Sequence, residues 1–145
     1  MAHATAAAVE TRFGSFETDS RWVVTISDGL PGFEKCRRFV LITSPQLEPL
    51  QCLQGLEDDK PSFLAIDPRL AQPGYPAALS EEDRRRLEVS DDTAPLLWLG
   101  LVTVRDETVL VNLRAPVVIN PTRMIGLQVI DPDSTFPTDH PLTLD

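Results

Sequence analysis

Histidine and cysteine are scarce, with two of each in 145 residues. His3 sits at the start and His140 near the end, and no HExxH pair, CxxC pair or clustered ligand spacing exists. The acidic runs at 57–59 and 91–92 lack the spacing and central glycine of a calcium loop. Neither a GxSxG elbow nor a GxxxxGK[ST] phosphate loop is present. No metal, cofactor or catalytic constellation is therefore expected. Positive charge is also short: 13 Lys and Arg stand against 22 Asp and Glu, a formal net charge of −9. With a pI near 4.6, such a chain does not suit phosphate backbones or anionic membrane surfaces. No apolar run approaches the ~20 residues that span a bilayer as a helix.

Proline, by contrast, is plentiful at 13 residues. Interior prolines break helices, so this density excludes a long-helix bundle. Hydrophobic residues make up 42% of the chain, enough for one core in a domain of this length.

Proline-marked turns cut the chain into short apolar pieces, the rhythm of an all-β domain. Strands are expected at WVVTI over 22–26, FVLI over 39–42, LQCLQ over 50–54 and SFLAI over 62–66. The longest apolar run, LLWLGLVTV over 96–104, meets the turn RDE and then TVLVNL over 108–113, the clearest hairpin in the chain. Residues 117–119 and 124–130 add two more strands, with Gly126 marking a bulge or a close backbone approach. One helix is expected after Ser80, with acids in its first turn and arginines later to complement the helix dipole. Leu79 and Leu87 are placed to dock it. A shorter helical turn is expected over 33–37. The fold class is mainly β: a small single-domain antiparallel β-barrel-like fold with one or two short helices, since closure removes exposed edges. Residues 1–8 are expected to form a disordered extension, 9–142 the barrel domain and 143–145 a tail. The start is not a secretory signal, and Cys36 and Cys52 are read as reduced, partly buried thiols.

Two segments stand out for binding. Gly29, Leu30, Pro31, Gly32 and Phe33 form either a plain tight turn or a rigid exposed loop that offers Leu30 and Phe33 to a partner. Asn112 falls in a strand, where it needs solvent or a hydrogen-bond partner, and Asn120 precedes Pro121 at a turn. The acids Glu57, Asp58, Asp59, Glu81, Glu82 and Asp83 form either solvated faces or a surface that steers a basic partner.

The ordered set GLPGFE (29–34), FVLI (39–42), LQGLED (53–58), FLAIDP (63–68), NLRAPVVIN (112–120), QVI (128–130) and HPL (140–142) resembles the flagellar assembly factor FliW family. The resemblance covers residues 9 to 142. It departs at Ile26 and Ser27, where the family usually carries Phe-Pro. It implies a non-enzymatic, cytoplasmic, β-barrel-like protein that binds flagellin and antagonises the translational repressor CsrA, the carbon storage regulator, with no direct contact to nucleic acid. A monomer is expected. The matched segments make Gly29, Leu30, Pro31, Gly32, Phe33, Asn112, Ala115, Pro116 and Asn120 the expected partner contacts. On the residues alone, a small-molecule-binding barrel and a hydrolase using unmarked carboxylates remain alternatives.

Overall fold

The computed structural model describes residues 6–89 and 94–143, with side chains described from residue 8. The expected extension over residues 1–5, the acids at 91–92 and the last two tail residues lie outside the described residues. The chain runs β1 (Ala6–Thr11), β2 (Gly14–Asp19), a 3-10 turn (Ser20–Trp22), β3 (Val23–Ile26), β4 (Arg38–Ile42), β5 (Gln51–Gly55) and β6 (Ser62–Ile66). Two short helices follow, α1 (Pro68–Ala71) and α2 (Glu81–Arg86). The remainder is β7 (Leu97–Arg105), β8 (Thr108–Val111), β9 (Val117–Asn120), β10 (Ile125–Gln128) and β11 (His140–Pro141). Residues 33–37 form turns rather than the expected short helix, because Leu30 and Phe33 close a β-bridge that sets the chain in a tight reversal.

Strands β7, β6, β5, β4, β3, β10 and β9 pair in that order, and β9 returns to β7 to close a seven-stranded barrel. A ring with an odd number of strands cannot alternate direction throughout. One seam must be parallel, and it falls between β3 and β10, with Ile125 opposite Thr25 and Gly126 opposite Ile26. The closed, mainly antiparallel barrel expected from the sequence is found, with this one seam as its parallel exception. The other six seams are antiparallel. The close approach anticipated at Gly126 is found there: a Cβ would meet Ile119 Cγ1 and Val118 O at 3.1 Å.

Alternation along the strands sorts the apolar side chains into layers. Val24, Ile26, Phe39, Leu41, Leu53, Ala65, Leu99, Val117 and Ile119 form one buried cluster drawn from six barrel strands, which fills the interior. Outside, Trp98, Val118, Leu127 and Leu113 pack against Leu87 and Tyr75, with Leu79 at the margin. This outer layer docks α2 as its leucines predict.

A second outer layer lies under the β1–β2 hairpin, where Phe16 covers Val40, Ile42 and Cys52. This hairpin begins at Ala6, inside the segment expected to be disordered to residue 8. Its tip is tied to the barrel by Arg12, whose backbone N–H donates to Ser62 Oγ (3.1 Å) and whose guanidinium donates to Ser62 O (3.2 Å). Both cysteines are free and buried. Burial raises the Cys52 thiol pKa to about 11, against smaller opposing effects from Thr11 and Arg12.

Two outcomes follow from this packing. Gly55→Ala should destabilise the protein by about 1–3 kcal/mol in urea denaturation, because a Cβ there would sit 2.5 Å from Pro61 Cδ and 2.8 Å from Cys36 Sγ. Phe16→Ala should open the hairpin and speed alkylation of Cys52 at mildly alkaline pH by about tenfold relative to Cys36, measured by peptide mass spectrometry. Equal acceleration of both cysteines would instead mean global unfolding.

Candidate functional site

Because β3 and β10 run parallel, their C-terminal ends leave the barrel at the same rim. Residues 27–36 emerge after β3, and Gln128, Val129 and Ile130 emerge beside them after β10. The loop after β3 is built by short-range bonds. Gly29 N–H donates to Ile26 O (2.8 Å), Phe33 N–H to Leu30 O (2.7 Å) and Cys36 N–H to Phe33 O (3.0 Å). Gly29 has φ +63°, and a Cβ there would lie 2.7–2.9 Å from the Glu34 backbone, so this position needs glycine.

The loop does not present the side chains that its sequence suggested. Leu30 is 1% exposed and belongs to the interior cluster. Phe33 is half-buried in an edge-on contact with Phe63, ring centroids 5.5 Å apart. Pro31 and Gly32 are the exposed members of the predicted set. Glu34 folds back, so that Gly32 N–H donates to its Oε1 (3.1 Å). The backbone N–H groups of Glu34 and Gly32 hold its carboxyl below the usual glutamate value, which keeps the charge in place near neutrality.

Helix α2 stands across from this loop. Ser80 Oγ caps it by accepting from Asp83 N–H (3.1 Å), as the sequence predicts. Arg86 reaches back to the Asp28 carboxylate and lies 3.9 Å from Asp83. Between loop and helix runs a groove of about 370 Å³, lined by Asp28, Gly29, Pro31, Glu34, Glu82, Asp83, Arg86, Leu127, Gln128 and Ile130. A second groove of about 260 Å³ joins the other side of the loop, at Gly32, Phe33 and Glu34, to Asp58 and Asp59. The fold thus brings two of the predicted groups together, with the loop between both acidic clusters.

Glu57 separates from that set. Its Oε1 accepts from the N–H groups of Arg37 (3.0 Å) and Arg38 (3.1 Å), so it anchors the start of β4. Glu81 is exposed beside Glu82 at the start of α2.

The predicted segment from Asn112 to Asn120 serves the fold. Val111 opposes Val102 and Val117 opposes Leu99, so one strand advances six residues while β7 advances three. The excess is gathered into a bulge that Asn112 closes: its Oδ1 accepts from Arg114 N–H (3.0 Å) and Ala115 N–H (3.1 Å). The bulge carbonyls are also taken. Tyr75 OH donates to Leu113 O (2.7 Å), Gln128 Nε2 to Ala115 O (3.0 Å) and Val129 N–H to Pro116 O (2.8 Å). Pro116 is buried. Asn120 is 4% exposed and joins three elements, donating from Nδ2 to Leu87 O (2.7 Å) and accepting from Thr122 N–H (3.0 Å). Leu30, Pro116 and Asn120 are thus buried, and the Asn112 side-chain oxygen is engaged within the molecule, which gives all four a structural role.

The groove residues that sequence reasoning missed are Asp28, Glu34, Arg86, Leu127, Gln128 and Ile130. One signal was available for Ile130: it is an apolar residue at the start of an acidic, proline-rich stretch that begins at Asp131. Cys36, Cys52 and His140 lie in the interior cluster, under the hairpin and on β11, respectively. No helix among the described residues is long and apolar enough to cross a membrane.

Comparison with known proteins agrees with this fold. The family described as FliW protein matches residues 7–142. The flagellar assembly factor FliW of Thermosipho africanus is 34% identical over 135 residues, covering 92% of this chain and 93% of that protein. The protein of the same name from Geotalea uraniireducens is 35% identical over 133 residues, covering 90% and 80%. A solved structure titled "Crystal structure of the flagellar assembly factor FliW" superposes with a TM-score of 0.82 at 27% identity, covering 96% of this chain and 99% of that one.

Loss of either buried anchor should appear as lost stability. Asn120→Ala should cost about 1–3 kcal/mol, because the Leu87 carbonyl and Thr122 N–H lose their partner, and Leu30→Ala about 2–5 kcal/mol. Urea denaturation measures both, and values near zero would return these residues to the surface set.

Proposed function

Since this chain belongs to the FliW family of flagellar assembly factors, we propose that it is a non-enzymatic cytoplasmic regulator that binds flagellin and antagonises CsrA. In this reading flagellin occupies the protein while subunits accumulate. Export of flagellin frees it to bind CsrA, and CsrA then no longer represses flagellin mRNA. Synthesis of the filament subunit is thereby tied to its secretion.

One observation carries the reading: Asp58 and Asp59 on one side and Glu82 on the other line grooves that flank a single loop, with Glu81 exposed beside Glu82, on a protein of net charge −9. CsrA binds RNA through a basic surface, and an acidic surface of this kind suits such a partner. The same field repels RNA, so the protein need not cover the RNA site to oppose RNA binding. A hydrolase reading has less support, because the family is one of flagellar assembly factors and not a known enzyme family.

The test is displacement of labelled flagellin mRNA leader from the cognate CsrA. Lysine substitutions at Asp58, Asp59, Glu81 and Glu82 together should weaken CsrA binding by at least about tenfold at low salt, with a smaller loss at physiological salt. Glu57 is left intact because it holds the β4 backbone. Wild-type protein that captures neither CsrA nor flagellin would overturn the proposal.

A further inference from the structure

The groove between the β3 loop and α2 is unbalanced in charge. Four carboxylates, from Asp28, Glu34, Glu82 and Asp83, line it with one cation, Arg86. That cation is committed, bonding Asp28 and lying 3.9 Å from Asp83. Glu34 and Glu82 line the groove with no cation but Arg86 beside them among the described lining residues. The floor is apolar on one side: Ile130 is 69% exposed and adjoins Leu127. Gln128 lines the same groove, and its Oε1 is buried with no hydrogen-bond partner among the described residues. Its Nε2 is spent on Ala115 O, so the amide cannot turn to satisfy the oxygen without losing that bond. A buried acceptor in this state gains from any donor that reaches it.

A larger groove of about 530 Å³ lies between the hairpin and the Phe33–Phe63 pair. Its charges cancel, Glu10 and Asp59 against Arg12 and Lys60, so it selects no sign of partner. The smaller groove does.

We propose that the groove between the β3 loop and α2 docks a cationic side chain carried by a basic, partly apolar segment of a protein partner. The aliphatic stem lies over Ile130 and Pro31, and the charged head meets Glu34 and Glu82. An N–H of the head supplies the donor that Gln128 Oε1 lacks. Arginine suits the site best, since its fork of N–H groups serves a carboxylate and an amide oxygen together. The proposal deepens the function above and rests on its reading that the basic partner is CsrA.

Two measurements test it. In the first, the full chain with labelled methyl groups is titrated by NMR with a capped Arg-Leu-Arg peptide and a capped Glu-Leu-Glu peptide. The arginine peptide should shift the Ile130 and Leu127 methyls and the Gln128 side-chain amide, more strongly at low salt, and the double variant E82K/I130S should lose these shifts. Absence of shifts, shifts confined elsewhere, or equal shifts from both peptides would overturn the groove. In the second, CsrA affinity is compared for wild type, Glu82→Lys and Glu17→Lys, the last an equal charge change on β2 outside the groove. Glu82→Lys should bind about tenfold more weakly and Glu17→Lys within about twofold of wild type. Equal affinity of wild type and Glu82→Lys would overturn the groove and leave CsrA antagonism standing. Failure of wild type to bind CsrA would overturn the antagonism, and the peptide titration would then decide the groove by itself.

Discussion

The parallel contact between β3 and β10 follows from closing a ring of seven strands. Antiparallel neighbours alternate direction, and an odd ring leaves one pair that must agree. The consequence is spatial. Two chain segments far apart in sequence, one after Ile26 and one after Gln128, leave the barrel side by side at one rim. In an antiparallel pair they would leave at opposite ends. The groove that collects Asp28, Glu34, Gln128 and Ile130 exists because of this seam.

Buried amides then fix what stands around the groove. Asn120 bonds the last carbonyl region of α2 through Leu87 O and shapes the turn into β10. Asn112 closes the three-residue excess between β8 and β9. Without these side chains the backbone groups they serve would be buried unpaired, at about 1–3 kcal/mol each. The characteristic segment from Asn112 to Asn120 thus shapes the backbone around the site. The acids divide in the same way: Glu57 is structural, whereas Asp58, Asp59 and Glu82 keep free carboxylates at the surface.

Much of the fold was legible in the residues. The strand runs at 39–42, 62–66 and 96–104 fall within one residue of β4, β6 and β7 at each end, because β-branched and apolar runs bounded by proline have few other outcomes. The α2 cap and its docking leucines were legible for the same reason, since each is a local rule. The β1–β2 hairpin was not, because GSFETD has Phe16 as its one large apolar residue and the hairpin depends on Phe16 finding Val40 and Cys52. The parallel seam was hidden because parity is a property of the whole ring. The site was half legible. Charge and loop chemistry pointed to residues 29–33 and the acidic runs, but burial decides which side chains are offered. Leu30 and Asn120 look like contact residues in sequence and prove to be sealed inside.

The net charge of −9 thus has a local form. Carboxylates gather on both sides of one glycine-pinned loop, and the one arginine in the groove is already paired. Hydrogen exchange of the full chain with and without its cognate CsrA tests this account most directly. Slowed exchange at the backbone amides of residues 29–34 and 82–86, with the β1–β2 hairpin unchanged, is the result it predicts. Protection confined to the hairpin or to residues 112–116, with the groove amides exchanging as in the free protein, would contradict it.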